Sequence, residues 1–367
     1  MKKFQQPKDK KSDGNFLSLD SHKLIYHLKE LNAWIRGEPI FPLYVAISPS
    51  GMCNHKCVFC VYEYIEEKPI FLEKEKTIKI IKELRNLGTK AIFFSGEGEP
   101  LLNKFLPEIV RRSKDTGIDM AINTNGIIFN KGIAEKILKN FTFVRVSLNA
   151  GKKETYASVH GTREKDFDII LSNLSDMVQI KIRDNLDVTI GVQFLLLNEN
   201  RFEVPELAKK LRDIGVGYLS VKPFLPHPNI SYRLKYNFDD PELQECLNEA
   251  EKLSSDKFSV IIRRDSFAKI SKRSYPKCLS SQFMLEIDCY GDVYPCGPFL
   301  GNKKMVYGNI YNCNTFEELW NSERCKKTIA YITNELDVSK CMPNCRNDAI
   351  NRFLWELANP PEHVNYI

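Results

Sequence analysis

Three cysteines, Cys53, Cys57 and Cys60, lie in the run Cys-Asn-His-Lys-Cys-Val-Phe-Cys directly after an apolar stretch. Three thiolates clustered in one loop can hold three corners of a four-iron, four-sulfur cube, leaving the fourth iron open to another molecule. An open iron is a reaction site. The competing assignment is a zinc knuckle, but structural zinc prefers paired thiols in a closed tetrahedron. A second cysteine-rich region follows far downstream, with Cys278, Cys296, Cys341 and Cys345, and with Cys289, Cys313 and Cys325 between them; Cys246 stands in a polar stretch with no evident partner.

The rest of the chain bounds what such chemistry can be. A length of 367 residues predicts a main domain plus an appendage, and 43% hydrophobic residues are enough for a core. The 53 basic residues exceed the 47 acidic ones by a net +6, with no dense basic stripe interleaved with aromatics, so nucleic acid is not indicated. Met1 to Phe16 has no apolar core segment and nothing in the chain resembles a membrane span, so a soluble, unexported, cytoplasmic protein is expected. Eleven cysteines in such a chain argue for thiolate ligation in a reducing compartment and against a disulfide framework.

The elements that must position these groups can be read from periodicity. Residues 1 to about 17 are too polar to bury a core, and Ser18 to Gly37 reads as a packing helix capped by Asp20 or Ser21. Strand candidates then alternate with helical stretches: Leu43–Ser48, Lys90–Ser95, Ile118–Asn123, Thr142–Leu148, Asp187–Leu195 and Gly217–Lys222. Between them lie amphipathic segments such as Glu73–Leu87, ended by Gly88, and Asn103–Thr116, ended by Gly117. This alternation predicts an α/β protein with a parallel sheet and helices outside. Chemistry then gathers at the carboxyl ends of the strands, where the thiol loop, Ser95–Pro100 and Thr124–Gly126 all fall. Tyr236–Lys257 reads as an acidic helix, Ser259–Arg263 as a strand, Tyr290-Gly291-Asp292 as a turn, and Thr315–Ser322 and Asp348–Ala358 as helices.

The Cys-x3-Cys-x2-Cys loop with Phe59 before its last cysteine, together with the preceding strand, resembles the radical S-adenosylmethionine (SAM) superfamily. The resemblance runs from about Leu43 to Ile350. It implies a partial (β/α)6 TIM-type barrel followed by a small cysteine-rich α+β domain of the SPASM or twitch type. Segments are expected at 1–42 (an extension with the packing helix), 43–230 (barrel), 231–275 (a connecting helix and strand), 276–350 (auxiliary-cluster domain) and 351–367 (C-terminal helix and tail). Implied cofactors are SAM and two [4Fe–4S] clusters. Cys53, Cys57 and Cys60 would hold the SAM-binding cluster, and Cys278, Cys296, Cys341 and Cys345 an auxiliary one, with Cys289, Cys313 and Cys325 as possible substitutes. Ser95-Gly96-Glu97-Gly98-Glu99-Pro100 occupies the place of the superfamily's Gly-Gly-Glu segment, which receives the methionine amino group. Gly98 and Glu99 fit that role, while Glu97 departs from the usual glycine. Asn125, Ser147, Asn149 and Gln193 are further expected SAM contacts, although Asn-Gly is also an ordinary turn and a strand-end Ser often satisfies backbone groups. His160, Lys222 and His227 are candidates for the substrate side; a loop His or Lys is more often simply solvated.

A closed auxiliary cluster can accept an electron but cannot bind a second SAM, which suits oxidation. Resemblance to family members with this shortened domain, among them an aminocyclitol dehydrogenase, implies dehydrogenation of a hydroxylated small molecule, a sugar or sugar nucleotide, with a flavodoxin or ferredoxin as the expected electron donor. Maturation of a ribosomal peptide and radical epimerisation are alternatives within the superfamily, and a zinc-bound interaction protein is the alternative outside it.

Overall fold

The computed structural model describes residues 22–225, 227–268, 273–342 and 345–366. The expected polar N-terminal stretch and the caps at Asp20 and Ser21 lie outside them. A short 3-10 turn, Leu24–Tyr26, is followed by α1 (Leu28–Ile35). The expected single helix is therefore interrupted at His27. Leu24, Leu31, Ile40 and Leu43 form a small core with Leu279, Phe283 and Leu354, so this helix packs on the C-terminal half of the chain.

Six strand–helix units follow. They are β1 (Tyr44–Ile47), α2 (Lys74–Leu87), β2 (Ala91–Phe94), α3 (Leu106–Lys114), β3 (Asp119–Thr124), α4 (Lys131–Ile137), β4 (Phe143–Ser147), α5 (Lys153–His160), α6 (Glu164–Arg183), β5 (Thr189–Leu196), α7 (Val204–Ile214) and β6 (Tyr218–Pro223). Each strand falls within a residue or two of its expected place. Gly88 closes α2 with φ +109, a left-handed conformation that glycine adopts without strain. All the strands pair in parallel, so their carboxyl ends share one face. On β4, half-buried Phe143, Arg145 and Ser147 alternate with buried Val144 and Val146. The valines join the core under the helices, and the other three line the inner face.

Three features go beyond the sequence reading. The connecting segment is shorter than expected: α8 spans Pro241–Glu251, because Pro241 fits the first helical turn and Asp240 caps it by accepting from the Glu242 and Leu243 amides. The strand after it, β7 (Ser259–Ile262), extends the sheet beyond β6 and leads into α9 (Arg264–Ala268). The turn expected at Tyr290–Asp292 joins β8 (Met284–Ile287) to β9 (Asp292–Tyr294), with Gly291 at φ +81, and β8 pairs in parallel with β1. With the short β10 (Gly308–Asn309) the order becomes β10-β9-β8-β1-β2-β3-β4-β5-β6-β7, one ten-stranded sheet. The cysteine-rich region thus grows out of the barrel's own first strand.

Helices α10 (Phe316–Asn321), α11 (Glu323–Asn334) and α12 (Asp348–Ala358) complete the chain. Ser322 ends α10 and caps α11 by accepting from the Cys325 amide, and α11 is a helix absent from the sequence reading. Trp320 of α10 is buried, and its indole N–H donates to the Ile40 carbonyl oxygen at 2.8 Å. Trp320→Ala removes that bond and a large buried ring, and is expected to lower stability by about 3 kcal/mol or more. Urea unfolding checks this, and an unchanged midpoint would contradict the docking described.

Candidate functional site

The thiol loop leaves the end of β1 and is fixed by backbone contacts at both ends. The Lys56 and Val58 amides donate to the His160 and Val159 carbonyl oxygens at the end of α5. Gly161, φ +58, lies so close that a Cβ would sit 2.2 Å from the Lys56 oxygen. On the other side the Glu99 amide donates to the Met52 oxygen at 2.8 Å, and a Cβ on Gly98 would meet the Ser50 and Met52 oxygens at 2.3 and 2.4 Å. Only glycine lets the Ser95–Pro100 turn lie against the chain entering Cys53.

Within this frame the thiols of Cys53, Cys57 and Cys60 lie near one another. Burial raises the pKa of all three, with Cys53 pushed up to about 11, and neighbouring thiols add to the rise at Cys53 and Cys57. Amide groups point at the sulfurs, from His55 toward Cys53 and from Tyr62 toward Cys60. Such a set is poorly stable as three free thiolates and suited to a cation-rich group that draws off their charge. The residues present therefore fit an iron–sulfur cluster.

His160 belongs to this wall. It is buried, stacked on Tyr156, and its Nδ1 lies 3.4 Å from the Cys57 sulfur. The Asn149 amide donates to Nε2 at 3.1 Å, so Nε2 is the acceptor and Nδ1 carries the proton that faces sulfur. His55, Cys57 and His160 each place a donor atom within 4.8 Å of the others, the one such group among the described residues. In this tautomer His160 is a hydrogen-bond donor to Cys57 and not a metal ligand. The structure takes it from the substrate side to the back of the thiol loop, and adds His55, whose pKa burial lowers to about 4.

The expected SAM contacts divide into struts and lining groups. Glu99 is buried, with one carboxylate oxygen accepting from Leu101 N and Thr124 Oγ1 and the other from Asn125 N at 2.7 Å. It clamps the ends of β2 and β3 together, with three donors of the chain on its carboxylate. Asn149 is also a strut: Oδ1 accepts from Leu195 N and its carbonyl from Asn200 Nδ2. Asn125 reaches Asn54 of the thiol loop at 2.5 Å. Ser147 and Gln193 are half-buried register partners on the inner face, and Ser147 Oγ accepts from Asn123. Gly96, φ +136, lies against Ser48, where a Cβ would be 2.3 Å away. Glu97 turns the other way: Oε1 accepts from the Cys289 amide at 3.0 Å, and Oε2 is buried without a partner among the described residues.

In the C-terminal region Cys278, Cys296, Cys341 and Cys345 converge. Burial and then the other three thiols raise the Cys296 pKa. Cys278 accepts from the Asn351 side chain, and Arg273 holds the Val338, Cys341 and Met342 carbonyl oxygens. Cys289 lies instead against Gly51, Cys325 is fully buried in the main core, and Cys313 faces the Ile310 oxygen. His227 stacks on Tyr64 at 4.4 Å and its Nε2 meets the Pro298 oxygen, joining the end of β6 to the segment after Cys296.

Two groups of charged residues were not singled out by sequence. Glu286 on β8 is buried opposite Ala46, its pKa raised to about 7 by burial and by Glu97, and Asp288 is raised to about 7 by burial, Glu97 and Asp292. Lys222, which was singled out, is joined by Arg145, Arg263 and Arg346; burial and these three cations lower its pKa to about 7. Arg145 lies on the half-buried face of β4, and β8, buried along its whole length, was not among the expected strands.

Residues 47–211 match the Radical SAM superfamily, and residues 278–347 match an iron–sulfur cluster-binding domain, SPASM. GTP 3',8-cyclase of Chlorobaculum tepidum is 30% identical over 189 residues, 50% of this chain and 55% of that protein. The chain thus spans about half the length of this curated relative. SuiB of Streptococcus suis bound to S-adenosylmethionine superimposes with TM-score 0.64 at 17% identity, covering 84% of this chain and 72% of SuiB. anSMEcpe with bound AdoMet gives 0.57 at 20% identity, covering 84% of this chain and 91% of that one. These two share the fold. Among the described residues no helix is long and apolar enough to cross a membrane.

Glu99→Gln keeps the shape of the clamp but replaces an acceptor oxygen by a donor facing Asn125 N or Thr124. A loss of about 2 kcal/mol is expected, read by thermal unfolding; wild-type stability would show that the clamp is dispensable.

Proposed function

The chain belongs to the radical SAM superfamily and carries a SPASM iron–sulfur domain, and on that premise we propose that it oxidises a hydroxylated small molecule, a sugar or sugar nucleotide, to the carbonyl compound. Its cofactors are SAM, a [4Fe–4S] cluster in the barrel domain and an auxiliary one in the C-terminal domain. When bound, they supply a 5′-deoxyadenosyl radical and a one-electron acceptor. Cys53, Cys57 and Cys60 would hold the first cluster, with His160 donating to the Cys57 sulfur, and Cys278, Cys296, Cys341 and Cys345 would hold the second.

What supports the oxidative reading is that Cys278, Cys341 and Cys345 lie close enough to buried Cys296 to raise its pKa together. Four protein ligands complete a cube, leaving it free for electron transfer alone. The substrate carbon bearing the hydroxyl loses a hydrogen atom, the hydroxyl loses a proton, and one electron leaves, so the balance is a two-electron oxidation to C=O. Glu286 fits the role of proton acceptor: it is buried on the strand that pairs with β1 and leads toward the second thiol group, and a carboxyl near 7 accepts a proton at neutral pH. The partner in reduction is a low-potential one-electron carrier of the flavodoxin or ferredoxin kind, in the reducing cytoplasm.

A second reading follows from the curated relative named GTP 3',8-cyclase, in which substrate is rearranged without net oxidation. The two differ in product. Under anaerobic assay with dithionite and candidate substrates, oxidation yields one carbonyl product per SAM cleaved, whereas a product isomeric with its substrate would favour rearrangement. Changing Cys53, Cys57 and Cys60 together to Ala should abolish 5′-deoxyadenosine formation; surviving cleavage would remove these residues from the site. Glu286→Gln should slow carbonyl formation about a hundredfold and leave deoxyadenosine uncoupled from product. Coupled turnover at the parent rate would exclude Glu286 as the base.

A further inference from the structure

SAM carries a sulfonium, an ammonium and one carboxylate, so a barrel that holds it gains positive charge. The interior is already cationic. Arg145 projects from the inner face of β4, donates Nε–H to Asn123 Oδ1 at 2.9 Å, and lies 5.2 Å over the Phe93 ring. Arg346, one residue past Cys345, lies 5.1 Å from the same ring and 4.4 Å from Tyr44. Two guanidinium groups therefore share one aromatic ring. Lys222 and Arg263 stand side by side where β6 and β7 end, beyond the Val221–Ile262 pair. Arg145, Lys222 and Arg263 are half-buried and Arg346 is exposed, so the group can be reached from solvent.

Arg145, Lys222 and Arg346, supplied by three separate parts of the chain, put like charge together, with Glu286 acting on Arg346 alone of the three, and an anion between them relieves that repulsion. The charges acting on Lys222 are Arg145, Arg263 and Arg346, all cations, and with burial they lower its pKa to about 7. Of the acids at the junction with the C-terminal region, Glu286 reaches this group: after burial and Glu97, Arg346 acts on it next, ahead of Asp288, whereas Asp288 feels Glu97 and Asp292.

We propose that Arg145, Lys222, Arg263 and Arg346 bind phosphate groups of the substrate, a diphosphate being the class that fits. The inference rests on the reading that a small molecule is processed inside the barrel. A carboxylate offers about four lone-pair sites, while each guanidinium carries about five N–H donors and an ammonium about three. Even after Asn123 and neighbouring groups take their share, the donor set matches the several oxygens of a diphosphate.

The test uses inorganic pyrophosphate as probe on the full-length, cluster-loaded protein, with calorimetric titration, and titrates malonate and SAM in parallel. Pyrophosphate is expected to bind, and Arg145→Gln and Lys222→Met each to weaken it about tenfold or more, with SAM binding retained, Arg145→Lys recovering part of the loss and the surface change Lys326→Gln having no effect. Circular dichroism confirms that each variant is folded. Absence of pyrophosphate binding, equal affinity in the variants, malonate binding as tightly, or loss of SAM binding in step with pyrophosphate would each overturn the assignment. A parent protein that binds pyrophosphate but makes no 5′-deoxyadenosine under reduction would instead defeat the proposed function and leave this site standing.

Discussion

The parallel pairing of β1 with β8 is the constraint on which the rest of the molecule depends. β1 carries the barrel on one side through β2, and the cysteine-rich region on the other. Because β8 runs parallel to β1, the chain leaves both strands on the same face. The loop with Cys53, Cys57 and Cys60 and the turn with Cys289 are thereby brought to one end of the sheet, and β9 then carries the chain back toward Cys296. The contacts of Gly51 with Cys289 and of Glu97 with the Cys289 amide are consequences of that pairing. A flexibly tethered appendage could not hold two redox groups at a fixed separation; a shared sheet can.

Desolvation then sorts the charged groups. Acids lie at the junction of barrel and C-terminal region, as Glu97, Glu286 and Asp288, and bases lie beside them, as Arg145, Lys222, Arg263 and Arg346, with Arg346 acting on both Glu286 and Lys222. Burial moves each type toward neutrality from its own side, carboxyls upward and the lysine downward. Such an arrangement suits a substrate that brings an anion to one end and a hydroxyl to the other.

Much of this was legible in the sequence where a local pattern had a local cause. The six strand candidates, the Gly88 stop, the Tyr290–Asp292 turn and α12 follow from periodicity and turn chemistry. The β1–β8 pairing was not legible, because register between segments far apart in the chain leaves no local signature. Glu99 and Asn149, expected at a cofactor, also serve as struts, a role that a strand-end pattern does not reveal. His160 was seen as a histidine but not as a partner of Cys57, and its neighbour His55 passed unnoticed inside the cysteine run. Arg145, Arg263 and Arg346 were missed for a similar reason. Each is unremarkable alone, and only Lys222 stood out, so the charge became visible when four elements met.

The central claim is that the chain holds two iron–sulfur cubes, one on each side of the β1–β8 pairing. Iron, zinc and acid-labile sulfide analysis of anaerobically purified, reconstituted protein, with Mössbauer spectra on the same sample, tests it most directly. About eight irons and eight sulfides per chain in [4Fe–4S] form are expected. About two zincs with no sulfide, or about four irons in a single cluster, would contradict it.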